Sequence, residues 1–458
     1  MMRFAQLAAL ALLAFVAAAC TSARPPRAQT HVTPKEINLS VTQLTLPNGL
    51  VVMIHEDHAS PFVAVRLQYH VGSGQDPAGK SELAHLAEHM MFVSSRHTSV
   101  MGHSQLVSDA GGFGVQGETS LDSTDYFETV PKGALAVALW LEAERMAFVR
   151  DAMRPDEMAR EREVVKNELR QHFEGELNGR LSGYVRQSLF GASHPYGHPP
   201  IAASDIDGIT MDDLRGFMGR YYRPNNASLV IAGDVRADDV RQLVEKYSAD
   251  IPSGETIPLL APSVPRLTGE RRVEFESPAT LPRVVIAWPL PPMFSRGVLA
   301  LYVGDHFVTR IPKLEPEVLG IDSTILEGEI ASAYMLTVVV KEGHSVKKVM
   351  SILDDHLRGL RKGSYTLERP DFNSDLADRM DRIVYALTTP EERALTMTQG
   401  YWLSGSPQLP ELLLRRYRSL ELTDVENAFY QYLDPDARVV VTVHHNDNAP
   451  AAGRMVGR

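Results

Sequence analysis

Two stretches of this chain spell the same succession of extended and helical segments, and that duplication constrains the fold more than any single residue does. In the first, alternating and β-branched runs predict strands over 41–46, 50–56 and 63–69, the first two joined by a turn at Pro47, Asn48 and Gly49. A glycine-rich extended run at 111–117 and a strand at 123–130 follow, then helical periodicity over 133–149, 155–173 and 210–222, a strand at 227–232 and a helix at 237–247. After the proline-rich stretch 257–265, strands at 272–276 and 283–288 lead to a helix at 294–307 and a strand at 333–341. Helices over 346–361, 371–387, 390–403 and 423–433 precede a last strand at 438–443. A chain of 458 residues is too long for one core, and domains of about 200 residues each suit it. The expected boundaries are 39–255 and 271–447, with a linker over 256–270 and a disordered tail over 448–458.

The first nineteen residues stand outside that scheme. Arg3 supplies a positive end, 7–16 is an apolar run too short to span a bilayer, and Ala17, Ala18 and Ala19 are small, as in a secretory signal. Cys20 follows, the only cysteine, and AAAC resembles the lipobox of bacterial lipoproteins. Lipidation there would leave 20–38 as a polar tether and the membrane attached only through the lipid. No later stretch is long and apolar enough to cross a membrane. With no other cysteine the body cannot hold disulfides. A net charge of −11 argues against nucleic acid, which needs a basic face. The cluster Arg415, Arg416 and Arg418 is expected on a solvated helix face.

Chemistry concentrates in 81–92, SELAHLAEHMMF. On a helix His85 and His89 stack one turn apart, so both imidazoles can reach one ion, with Glu88 beside them. HxxEH is the inverted form of the zincin HExxH motif. Hydrolytic zinc takes three protein ligands and keeps a fourth position for water, so two histidines predict a third ligand elsewhere. The run EREVVKNE places Glu161 and Glu168 seven apart on one helical face, where one could bind the metal while the other backs the site.

With these residues in view, the chain resembles the pitrilysin or insulinase family of zinc peptidases, in particular bacterial two-domain members related to mitochondrial processing peptidase. The likeness is carried in order by HLAEHMMF, GETSLDSTDYFETVP at 117–131, LWLEAERM at 139–146, EREVVKNE at 161–168, HPYGHPPI at 194–201 and RYYRPNNASLVIAGDV at 220–235. It implies one Zn2+ per chain on His85, His89 and Glu168, Glu88 as base and Glu161 as supporting carboxylate. It also implies an α+β fold, two similar α/β-roll domains facing a shared cavity, the second without metal.

The chemistry that follows is peptide hydrolysis without an acyl-enzyme. Glu88 would take a proton from a zinc-activated water and return it to the leaving amine. The resemblance places the peptide as an added strand along 112–117, with Gln116 and Thr119 as substrate-binding residues. Gln116 departs from the asparagine usual in the family. A second departure lies in the second domain, where self-sufficient members carry an arginine and a tyrosine and this chain aligns Glu315 and Asp322. Carboxylates accept hydrogen bonds and would repel a substrate oxygen. The expected function is therefore a zinc endopeptidase of the bacterial cell envelope, facing the periplasm on a lipid anchor in the outer membrane, that acts on peptides or small unfolded proteins with a homologous partner subunit. The contrasting expectation is a scaffold or assembly subunit that retains the fold without catalysis.

Overall fold

The computed structural model describes residue 37 and residues 39–171, 177–198, 203–278, 281–451 and 453–456. Cys20, the expected signal and most of the tether lie outside the described residues, as does the end of the HPYGHPPI motif. Two six-stranded sheets form the frame. The first holds β1 (Val41–Thr45), β2 (Val51–Glu56), β3 (Phe62–Tyr69), β4 (Phe113–Thr119), β5 (Thr124–Pro131) and β6 (Ala227–Gly233) in the order β1-β2-β6-β3-β5-β4. The second holds β7 (Arg271–Ser277), β8 (Arg283–Leu290), β9 (Val318–Leu326), β10 (Ser332–Val340), β11 (Val439–His445) and β12 (Arg454–Met455) in the order β12-β7-β11-β8-β10-β9.

The two orders match at five of six positions, the exception being the edge strand beside β2 or β7, which is first in sequence in one half (β1) and last in the other (β12). In each sheet one pair is parallel, β2 with β6 and β7 with β11, and every other pair is antiparallel. This is an α+β fold of two domains built on one topology, as the duplicated order of elements implied. Each sheet ends in an open edge strand, β4 or β9.

Central strands are buried on both faces, which explains their nearly unbroken apolar runs. All of β6 and seven of the eight residues of β3 are buried. One face of the first sheet packs on helices of its own half, chiefly Leu83–Met90 and Leu135–Ala152. The other face is covered from the second half: Ala394 and Met397 of the Pro390–Ser404 helix pack on Met53, Ala64, Val230 and Ala232. The favour is returned by the Leu177–Phe190 helix. Its Leu181, Val185 and Leu189 pack on Phe275, Val285, Ala287 and Val441 of the second sheet. Polar contacts tie the same junction. Tyr196 Oη donates to Asp122 Oδ1 (2.5 Å), the Glu329 and Ile330 amides donate to Asp122 and to Tyr196 Oη, and His70 stacks on Trp402.

Residues 256–270 form no regular element. The tail departs from expectation: β12 pairs Arg454 and Met455 with Glu276 and Phe275, because β7 would otherwise present a free edge. Arg415, Arg416 and Arg418 are exposed on the Leu409–Arg418 helix, as expected.

Candidate metal centre

The Leu83–Met90 helix is short and anchored from both sides. Leu83, Leu86, Ala87 and Met90 sit in the core at helical spacing, which turns His85 and His89 toward a cavity. Its entry is held by Asp76, whose buried carboxylate accepts the Glu82 and Ala84 amides at 2.8 Å each. Glu82 itself lies at φ +70°, a left-handed conformation that a non-glycine residue adopts at some cost. The Pro155–Leu169 helix crosses the motif helix and starts with Pro155 at its first position and Glu157 accepting the Arg154 amide. That crossing brings Glu161 and Glu168 to the histidines.

Glu168 Oε2 stands 3.4 Å from both His85 Nε2 and His89 Nε2. Zinc bonds of about 2.1 Å in tetrahedral array set neighbouring ligand atoms about 3.4 Å apart, the spacing of each histidine–Glu168 pair here, and all three ligand atoms lie within 4.8 Å of one another. Behind each imidazole stands a further carboxylate: Glu82 Oε2 lies 2.7 Å from His85 Nδ1, and Glu161 Oε2 lies 3.4 Å from His89 Nδ1. A carboxylate on Nδ1 fixes the tautomer that leaves Nε2 free as a ligand. Glu161 was legible in the sequence; Glu82, three residues before His85 and outside the helical pattern, was not.

Charge makes the same point. Burial lowers the His85 pKa, but hydrogen bonds to Glu168 and Glu82 outweigh it and the group is lifted to about 10. The acid-rich site thus draws positive charge onto His85, and a divalent cation would meet that demand better. Glu88 is buried, which raises its pKa, while a hydrogen bond from Thr119 Oγ1 (2.6 Å) works in the opposite direction. Gly117 lets β4 pass over this carboxylate: a Cβ there would stand 2.7 Å from Glu88 Oε1. Together with Ser73, Glu118, Arg186 and His198 these groups line a cavity of about 540 Å3.

The other expected positions fall as follows. Thr119 reaches the site, with its hydroxyl on Glu88. Gln116 is exposed and lines a separate cavity with Phe113, Phe127 and Glu391, because side chains alternate along β4 and Gly117 and Thr119 take the Glu88 side. Glu315 and Asp322 are not among the residues that line the cavity; Asp322 lies in β9 opposite Thr337. A second histidine–carboxylate cluster, His103, Glu128 and Glu142, is fully buried but holds Arg145, whose Nη2 is 2.8 Å from His103 Nδ1. A guanidinium there leaves no place for a metal. In LWLEAERM, then, Glu142 and Arg145 form a core charge cluster, and Glu144 pins the loop after the motif helix through His97 and Ser95.

Similarity to known proteins bears on the family. The family described as "Insulinase (Peptidase family M16)" matches residues 51–192, and "Peptidase M16 inactive domain" matches 208–354. Zinc protease PqqE of Helicobacter pylori is 32% identical over 206 residues, 44% of this chain and 46% of the relative, so the match spans about half that protein's length. The crystal structure of a protease from Helicobacter pylori superposes with a TM-score of 0.79 at 22% identity, over 88% of this chain and 99% of that one. The periplasmic protease PqqL from Escherichia coli superposes with a TM-score of 0.71 at 18% identity, over 90% of this chain and 48% of that one. The solved structures share the fold, and two family matches that together span more than half the chain establish that this protein belongs to the M16, pitrilysin or insulinase, peptidase family.

Proposed function

We propose that this protein is a zinc-dependent endopeptidase of the bacterial cell envelope, acting on peptides or small unfolded proteins. The observation that carries the reading is Glu168 Oε2 at 3.4 Å from both His85 Nε2 and His89 Nε2, beside the buried carboxylate of Glu88. His85, His89 and Glu168 would hold one zinc ion per chain, with Glu82 and Glu161 fixing the imidazoles. Bound there, zinc supplies a water of lowered pKa and polarises the scissile carbonyl. Glu88 would take a proton from such a water and deliver it to the leaving amine, a role suited to a carboxylate whose pKa burial has raised. Thr119 orients Glu88 through its hydrogen bond, and Gly117 leaves the room for it.

The open edge of β4 suits a substrate bound as an added strand, with Gln116 available on the outer side of that strand. Because Glu315 and Asp322 offer no donor for a substrate oxygen, a homologous partner subunit is assigned the missing contacts. The test is to load the full chain with zinc and map cuts in a peptide mixture, with and without a homologous subunit encoded nearby. The expected result is cleavage by the wild type, strongest in the pair, and retention of zinc by Glu88→Gln with a rate about 10² to 10⁴ lower. A fully loaded wild type that cuts nothing in either setting would leave the scaffold reading. For location, an acylated Cys20 in the outer membrane predicts that Cys20→Ser moves the protein from the membrane to the soluble periplasmic fraction. Identical fractionation of both would remove the lipid from the account.

A further inference from the structure

The metal-site cavity is lined mostly by acceptors: Asp76, Glu82, Glu88, Glu118 and Glu168 are all carboxylates. Set among them is one guanidinium, Arg186, on the Leu177–Phe190 helix. No described residue takes a hydrogen bond from it, and its Nε is wholly shut off from solvent and unpaired. Glu82 is near enough to act on its charge but forms no ion pair with it. His198 is its neighbour in the lining; the Ser73 backbone engages the imidazole, and Nε2 is buried without a partner. Polar groups in protein interiors are nearly always paired, so a guanidinium that lines the cavity with its Nε enclosed and its terminal nitrogens without a described partner marks a place where a ligand completes the bonding. Burial and the charge of Arg186 keep His198 below its ordinary pKa and therefore neutral. With one nitrogen engaged at a carbonyl, the other is an acceptor.

A fixed fork of donors is the complement of a peptide's oxygen atoms. We infer that Arg186 anchors the bound peptide, its terminal nitrogens donating to an acceptor oxygen, with His198 beside it in the lining. This rests on the peptidase reading above and adds to it that the chain carries a substrate contact of its own, supplied by its first half. The acceptor oxygen is either the free carboxylate at the peptide's C-terminus or an internal carbonyl, and a guanidinium serves both.

The test uses the full zinc-loaded chain carrying Glu88→Gln, so that peptide binds without being cut. An alanine–phenylalanine pentapeptide is titrated by calorimetry as the free acid and as the C-terminal amide. Adding Arg186→Gln is expected to weaken binding about tenfold or more, with Arg186→Lys restoring part of it. Zinc content and the thermal unfolding midpoint stay at parental values, which a purely structural role for Arg186 would not allow. Selective loss on the free acid identifies the carboxylate as the acceptor, and equal loss on both identifies a carbonyl. Unchanged affinity in Arg186→Gln overturns the anchor while leaving the zinc site standing. A zinc-loaded parent that binds neither peptide overturns the peptidase reading and the anchor together.

Discussion

His85 is where the charge of the site becomes measurable. Its pKa, lifted to about 10, lies above the ordinary histidine value of about 6.5. In the metal-free fold this stabilisation is complete below about pH 6.5 and is lost as pH rises through about 10. Zinc must displace that proton at any pH below about 10, so apparent zinc affinity is expected to rise about tenfold per unit between pH 7 and 9, with a proton released into the buffer. Competition against a chelating indicator in several buffers measures both. A flat affinity across that range would show that His85 is not held between carboxylates. HxxEH was legible because its spacing is helical, and Glu161 and Glu168, whose spacing shows only a shared face, were picked out by the family resemblance, whereas Glu82, Arg186 and His198 reach the site by loop geometry and tertiary packing, which no local periodicity encodes.

Among the elements, β4 does two things at once: it offers an open edge and it clears space above the base. The clearance depends on Gly117, since any Cβ would stand 2.9 Å or less from the Glu88 side chain at two atoms. Gly117→Ala should therefore leave zinc content and folding intact while lowering kcat by about 10²-fold, the size expected when a reacting group is displaced by about an ångström. An unchanged kcat would mean that Glu88 can swing aside without cost. Most elements could be placed from sequence to within a few residues, including β2, β5 and the Val346–Arg361 helix. The Leu177–Phe190 helix was missed because Gly179, Gly183 and two serines mask its pattern, although Leu177, Leu181, Val185 and Leu189 repeat every fourth residue. The β9 strand was missed for a different reason. Its solvent-facing residues, Leu319 among them, break the alternation that marks a half-buried strand.

At the scale of the whole molecule, the duplicated order of elements gave the architecture but not the exchange of helices between its halves. Each sheet has one face sealed by a helix from the other half, so neither half is complete alone. Cutting the chain within 256–270, where Leu259, Leu260 and Val264 are exposed, is expected to leave two fragments that co-elute and unfold in one transition. Fragments that separate on a sizing column without denaturant would show that the exchanged helices contribute little. The same exchange sets a clock on synthesis. The first sheet is finished at Gly233, yet the helix that seals its outer face begins at Pro390. At about 5 to 20 residues per second, the intervening stretch takes roughly eight to thirty seconds to make, so a first sheet that forms as the chain emerges, at the ribosome or on the far side of the membrane, has that face bare for about as long. For that interval the nascent chain displays Met53, Ala64, Val230 and Ala232 to its surroundings, a window in which a holdase could decide the yield of folded protein.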